Sequence, residues 1–223
     1  METLTCKNCG VEFQGNFCGN CGQKKFDSKL NFKMLSYWII DSLDYQTGLI
    51  NTFLSLQTKP GVLIHDFVGG KTKSYFNPFT YLILSLSFVY FVSPSTAGWY
   101  ILFVPILFIS IMYNNIAFRR NRYNLFENVI IALLLNSQIL LIWLIGDLLE
   151  NITPEGSAIG PRIMIILMWM YIIYFNWKVF DKEKRVINIL KSIIFPFVMV
   201  GFLVLVMELD NQFNIISTIK GLF

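Results

Sequence analysis

The sequence predicts an all-α membrane protein with about five transmembrane helices and cytoplasmic interfacial helices, preceded by a small β zinc ribbon. Three observations predict it. The 223-residue chain is 55% hydrophobic and 14% charged, where an ordinary soluble domain carries about 25% charge. Its apolar runs are continuous rather than alternating, which selects helices over a barrel. Its only four cysteines fall in the first 21 residues, as Cys6/Cys9 and Cys18/Cys21.

The head comes first, at residues 1–26. Two C-x2-C pairs have the spacing of a structural zinc site with four thiolate ligands, one ion per chain. Glycine follows each pair, Gly10 and Gly22. A knuckle turns its amides toward the sulfurs, and glycine admits the positive φ this needs. Val11 to Phe17 alternates through Gly15-Asn16 and reads as a short hairpin linking the knuckles, with Phe13 and Phe17 as a miniature core. So small a core needs metal to fold. Four thiolates close the coordination shell, which argues against catalytic zinc. No βαβ context supports a redox C-x2-C. Lys24 and Lys25 make too thin a basic patch to suggest nucleic-acid binding.

Residues 27–75 read as an interfacial segment. Phe32, Leu35, Ile39 and Leu43 share one helical face, and Leu49, Ile50, Phe53, Leu54 and Leu56 repeat the pattern. Neither helix is long enough to span, so both are expected on the cytoplasmic surface. Lys59-Pro60-Gly61 breaks the chain. His65, the single histidine, precedes Asp66, but neighbours on a helix point apart. Gly70-Lys71-Thr72 lacks the first glycine of a phosphate loop, since position 65 holds histidine. Lys71 and Lys73 are candidate contacts for anionic lipid headgroups.

The bundle is expected over 76–209, with spans near 76–93, 98–118, 125–149, 162–180 and 187–207. Each approaches the roughly 20 residues needed to cross hydrocarbon about 30 Å thick. All of the 18 basic residues except Arg162 and Lys220 fall on one side of this arrangement. The positive-inside rule then places the N-terminus in the cytoplasm, and the tail 210–223 outside. In that reducing compartment the cysteines are expected as metal ligands, not disulfides. Asn128, Asn136 and Gln138 in the third span are candidates for an intramembrane polar path. Asn136 and Gln138 lie about 200° apart on a helix, which favours packing bonds to different neighbours.

The entry motifs carry a resemblance. Cys6-Lys7-Asn8-Cys9-Gly10, Phe17-Cys18-Gly19-Asn20-Cys21-Gly22-Gln23, Lys59-Pro60-Gly61, Gly70-Lys71, Tyr75 and Pro78-Phe79 together resemble a bacterial family of multi-pass membrane proteins with a zinc-ribbon head. That family is catalogued as a domain of unknown function. The resemblance covers roughly the first 80 residues and implies a bacterial inner-membrane location, without an activity. Thr72 stands where the family pattern leads one to expect arginine, so any phosphate grip would be weaker here or pass to Lys73.

No catalytic residues are singled out, because no Ser/His/Asp set, metal-water site or paired carboxylate converges. The leading expectation is a non-enzymatic inner-membrane protein whose head binds a cytoplasmic protein partner or regulates the bundle. The alternatives are a transporter or lipid-handling protein, and an effector that forms a pore as a homo-oligomer.

Overall fold

The computed structural model describes residues 3–25, 48–92, 103–121, 123–152, 159–182 and 184–213. The helix expected over Phe32–Leu43 and the C-terminal tail beyond residue 213 lie outside them. Seven α-helices and one two-stranded sheet are described: β1 Leu4–Thr5, β2 Glu12–Phe13, α1 Leu49–Thr58, α2 Pro60–Val68, α3 Pro78–Val92, α4 Phe103–Ala117, α5 Leu125–Ile152, α6 Ile159–Val179 and α7 Arg185–Phe213.

Helix α5 is the centre. Its start is fixed by a reciprocal cap. The Asn124 amide donates to Glu127 Oε2 at 2.7 Å, and the Glu127 amide donates to Asn124 Oδ1 at 2.9 Å. From Ile130 to Gln138 no residue exposes more than 2% of its surface. A helix buried on every side needs neighbours on every side. These are α3, α4 and α6. One apolar cluster joins α3 to α5 through Leu82, Val89, Leu133, Leu140 and Leu144. The larger one joins Leu134, Leu135, Ile172 and Phe175 to Leu56, Leu63, Ile64 and Phe67 of α1 and α2. Phe118 and Phe180 stack at 4.0 Å, tying the chain just after α4 to the chain just after α6.

Three helices are long and apolar enough to cross a membrane: Leu125–Leu149, Arg162–Val179 and Arg185–Phe202. The other two apolar helices, Pro78–Val92 and Pro105–Ala117, are shorter. Residues 93–102 between them lie outside the described residues, so the expected first and second spans are seen in part. Pro196 lies inside α7.

Helices α1 and α2 form a hairpin that turns at Lys59. Pro60 starts α2 at its first position, where a missing N–H costs no helical bond. The hairpin packs along α6 and reaches α5 instead of standing apart. Gln57 donates to Gln138 Oε1 at 2.6 Å. Tyr171 and Tyr174 donate their hydroxyls to the carbonyls of Leu56 and Thr58 at 3.2 and 2.7 Å. A Cβ on Gly61 would collide with the carbonyl of Lys178.

Gly61→Ala should therefore lower stability by about 1–3 kcal/mol, as overpacking does, although alanine is the better helix former. Gly201→Ala, with nothing within 4 Å of the added carbon, should be neutral or gain up to about 1 kcal/mol. Thermal unfolding of the two detergent-solubilised variants checks the contrast.

Candidate metal centre and its docking strap

Each C-x2-C pair is the turn of its own small hairpin. Leu4 pairs with Phe13 and Thr5 with Glu12 around the first pair. Phe17 pairs with Lys24 around the second. The expected hairpin between the knuckles is thus replaced by two hairpins, each closed by a knuckle. The backbone bonds repeat at matching offsets. Cys6 N–H donates to Val11 O and Cys18 N–H to Gln23 O, at 2.9 and 2.8 Å. Gly10 N–H returns to Cys6 O and Gly22 N–H to Cys18 O, at 3.0 and 2.8 Å. Gly10 and Gly22 take φ of 75° and 70°, the left-handed turn expected of glycine.

This doubling brings the four sulfurs within 4.8 Å of one another. Cys6 Sγ lies 3.5 Å from Cys21 Sγ, and Cys9 Sγ lies 3.6 Å from Cys18 Sγ. Tetrahedral ligands about 2.3 Å from a zinc ion stand about 3.8 Å apart. The cysteines are free thiols, and their spacing fits one metal ion. The Cys9 thiol is pulled down to about 6, first by the Val11 backbone amide and then by Asn20. Burial pushes the Cys21 thiol up to about 11. Such a set ionises fully only around a cation. Cys6 and Cys18 are the buried members, at 3% and 2% exposure, whereas Phe17, expected in a miniature core, is 56% exposed. The sulfurs are the core of the head.

The head does not stand alone. Its two knuckles grip the strap 69–77 that joins α2 to α3. Gln23, 4% exposed, accepts from the Lys73 backbone amide at 2.9 Å. Gln23 Nε2 donates to Thr72 Oγ1 at 3.1 Å. Ser74 Oγ donates to Asn8 Oδ1, inside the first knuckle, at 2.8 Å. From the other side, α1 holds the same strap. Asn51 donates to Ser74 O at 2.7 Å, and the Phe76 amide donates to Thr52 Oγ1 at 2.7 Å. Gly48, at φ 107°, lets the start of α1 approach Ser74 and Tyr75 closely.

Lys71 and Lys73 thus both sit on this strap. The Lys71 ammonium pairs with Asp66 at 3.2 Å, half-exposed, a surface contact worth about 0–1 kcal/mol. Tyr75 donates its hydroxyl to the same carboxylate at 2.9 Å. Burial, then Asp66, pushes the Tyr75 phenol up to about 12, so it remains a donor. Lys73 offers its backbone to Gln23 and leaves its side chain exposed. His65 and Asp66 do point apart: His65 faces Asp181 at 3.8 Å.

The three candidate path residues of α5 divide between different neighbours. Asn128 donates to Asn115 at 3.4 Å and Asn136 to Ser110 at 3.1 Å, both toward α4. Gln138 instead takes Gln57 and donates to Tyr81 of α3. Asn8, Gln23 and Thr72 carry the head's docking, a role that sequence reasoning does not assign them. Thr72 is visible there only as a departure from a pattern. Gln23 offers the one usable signal, a polar residue directly after the knuckle glycine.

A family model described as "Protein of unknown function (DUF3667)" matches residues 47–91. The match covers the α1–α2 hairpin, the strap and nearly all of α3, and it supports the resemblance to an unknown-function family. It does not extend to the cysteine head. No curated protein and no solved structure matches the chain.

Elemental analysis of the purified full chain should find about one metal per chain. Cys9→Ser should lose it, with partial proteolysis of residues 3–25 as the second readout.

Proposed function

We propose that this is a non-enzymatic, multi-pass inner-membrane protein whose zinc-held cytoplasmic head clamps the entrance of its own helical bundle. The observation that carries this reading is the grip of both knuckles, through Asn8 and Gln23, on Thr72, Lys73 and Ser74. Those residues lead directly into α3. A head meant only to recruit a partner would need no such bonds to its own chain. Zinc is the ion that four thiolates at this spacing favour in a closed tetrahedral site.

Five spans with the N-terminus in the cytoplasm complete the reading. Its supports are the three long apolar helices, the two shorter ones beside them, and the one-sided placement of basic residues. The resemblance to a bacterial family adds the inner-membrane location. A lipid-handling or transport role finds less support. Asn136 bonds to Ser110 of α4, whereas Gln138 bonds to Gln57 of α1 and Tyr81 of α3.

Two outcomes test the clamp and the topology. Gln23→Ala should keep its metal yet expose residues 69–77 to protease several-fold faster, as a lost docking bond of about 1 kcal/mol allows. Unchanged cleavage would remove the clamp. Reporter fusions should be active in the cytoplasm at the N-terminus and outside at residue 213.

A further inference from the structure

We propose that the ring of helices α4–α7 binds internal water, held by asparagines that its helices bring to one level beside the stacked rings of Phe118 and Phe180. This goes beyond the clamp and uses neither the head nor the membrane reading.

Position is the first argument. Helices α4, α5, α6 and α7 each pack on the next, and α7 returns to α4. Neighbours along α4, α5 and α6 run in opposite directions. Ser110 of α4 meets Asn136 of α5, and Asn115 meets Asn128. A Cβ on Gly146 of α5 would strike Met164 near the start of α6, whereas Tyr123, just before α5, donates to Val179 O at the end of α6. Helices α4 and α6 therefore run the same way. Each closes on the same pair, an asparagine and, four residues on, a phenylalanine: Asn114 with Phe118, and Asn176 with Phe180. The Phe118 and Phe180 amides return to Asn114 O and Asn176 O at 3.1 and 2.9 Å, so each pair keeps the helical turn and shares a face. The two rings stack at 4.0 Å. Both asparagines consequently sit on the same side of the stack, one turn along. Asn128 reaches their level from α5 through Asn115. Asn188 reaches it from α7, donating to Asn176 O and Phe180 O at 3.0 and 2.9 Å.

Unmet bonding is the second argument. Asn114 is 1% exposed, Asn176 0% and Asn128 2%. Among the described residues, no partner meets Nδ2 or Oδ1 of Asn114, Nδ2 or Oδ1 of Asn176, or Oδ1 of Asn128. The other such atom there is Nδ2 of Asn121, in the turn after Phe118. These unmet atoms gather at one end of one ring of helices. Leaving a buried amide unpaired is costly, and proteins meet such groups with internal water, each molecule making about three hydrogen bonds.

The third argument is the chemistry of the set. Asn114 and Asn176 each present an unmet donor and an unmet acceptor. A cation would engage the oxygens alone and leave both Nδ2 groups unpaired. An anion would engage the nitrogens alone. Water donates and accepts, and so serves both ends of each amide.

The test is hydroxyl-radical labelling of the full chain in detergent, with radicals made by brief X-ray pulses in heavy-oxygen water and sites read by mass spectrometry. A bound water yields its radical in place, so buried side chains beside it take the label. Phe118 and Phe180, 2% and 0% exposed, should be labelled several-fold faster than Phe67, 3% exposed in the hairpin. Equal rates would overturn the proposal. In Asn114→Leu/Asn176→Leu both rings should fall to the rate of Phe67; if that variant does not fold, Asn176→Leu alone should lower them. Undiminished labelling in a folded variant would mean entry from bulk solvent and overturn the site. An unfolding temperature of the unaltered chain that rises in sodium or potassium over choline would make the occupant a cation, and the water assignment would fall.

Discussion

In an apolar surrounding a buried polar atom is costly unless it finds a partner within the protein, and this constraint places the central helix, although the side-chain amides of Asn114 and Asn176 find none among the described residues. Helix α5 states it most sharply. It is buried on all sides between Ile130 and Gln138, yet it carries Asn136, Ser137 and Gln138 there. Ser137 turns its hydroxyl back to Leu133 O, and Asn136 divides its amide between Ala132 O and Ser110. Gln138 is too long to satisfy itself locally. It therefore fixes two other elements, α1 through Gln57 and α3 through Tyr81. A bond between such amides is worth only about 0.6 kcal/mol in a bundle. Leaving either amide buried and unpaired costs more, about 1–3 kcal/mol, so the pairing sets position more than strength.

From that anchor a chain of contacts runs outward. Gln138 holds the tip of the hairpin, the other end of α1 holds the strap 69–77, and the strap holds the head. Ser74 is the residue where the last two meet. Its carbonyl accepts from Asn51 of α1, and its hydroxyl donates to Asn8 of the first knuckle. The family match at residues 47–91 covers the hairpin, the strap and the start of the bundle as one unit. The head lies outside that match and bonds to its strap.

Much of this is legible in the sequence, and the remainder is not for identifiable reasons. The cysteine spacing and the two following glycines reveal the four-cysteine cluster, because knuckle geometry is local. The long apolar run of α5 reveals the central helix, whereas the Asn124–Glu127 cap at its start emerges only from the structure. The setting of the hairpin is not legible, because a ten-residue apolar helix has the same pattern whether it stands apart or packs against the bundle. What bears on the choice is the Gln57–Gln138 bond, which joins positions 81 apart and leaves no periodic trace. The miniature core misleads for the opposite reason. Phe13 and Phe17 look like core residues on any local scale, but in a module this small the sulfurs themselves occupy the centre. The docking face of the head rests on short polar side chains, Asn8 and Gln23, that sequence alone cannot distinguish from solvated ones.

The size of the head decides how its contacts must behave. Two strands of two residues each bury almost no apolar surface, so hydrophobic burial cannot hold the knuckles in place. Metal ligation supplies about 10–16 kcal/mol in comparable modules, far more than the few docking bonds at about 1 kcal/mol each. The docking face formed by Asn8 and Gln23 exists only while the four sulfurs are held. The strap itself has a second hold that does not involve metal, through Asn51 and Thr52 of α1. Loss of the metal would therefore free the strap on one side only, leaving the hairpin and the bundle in place. On the reading proposed above, such an arrangement would couple the entrance of α3 to the state of the cysteines while the helical core stays folded.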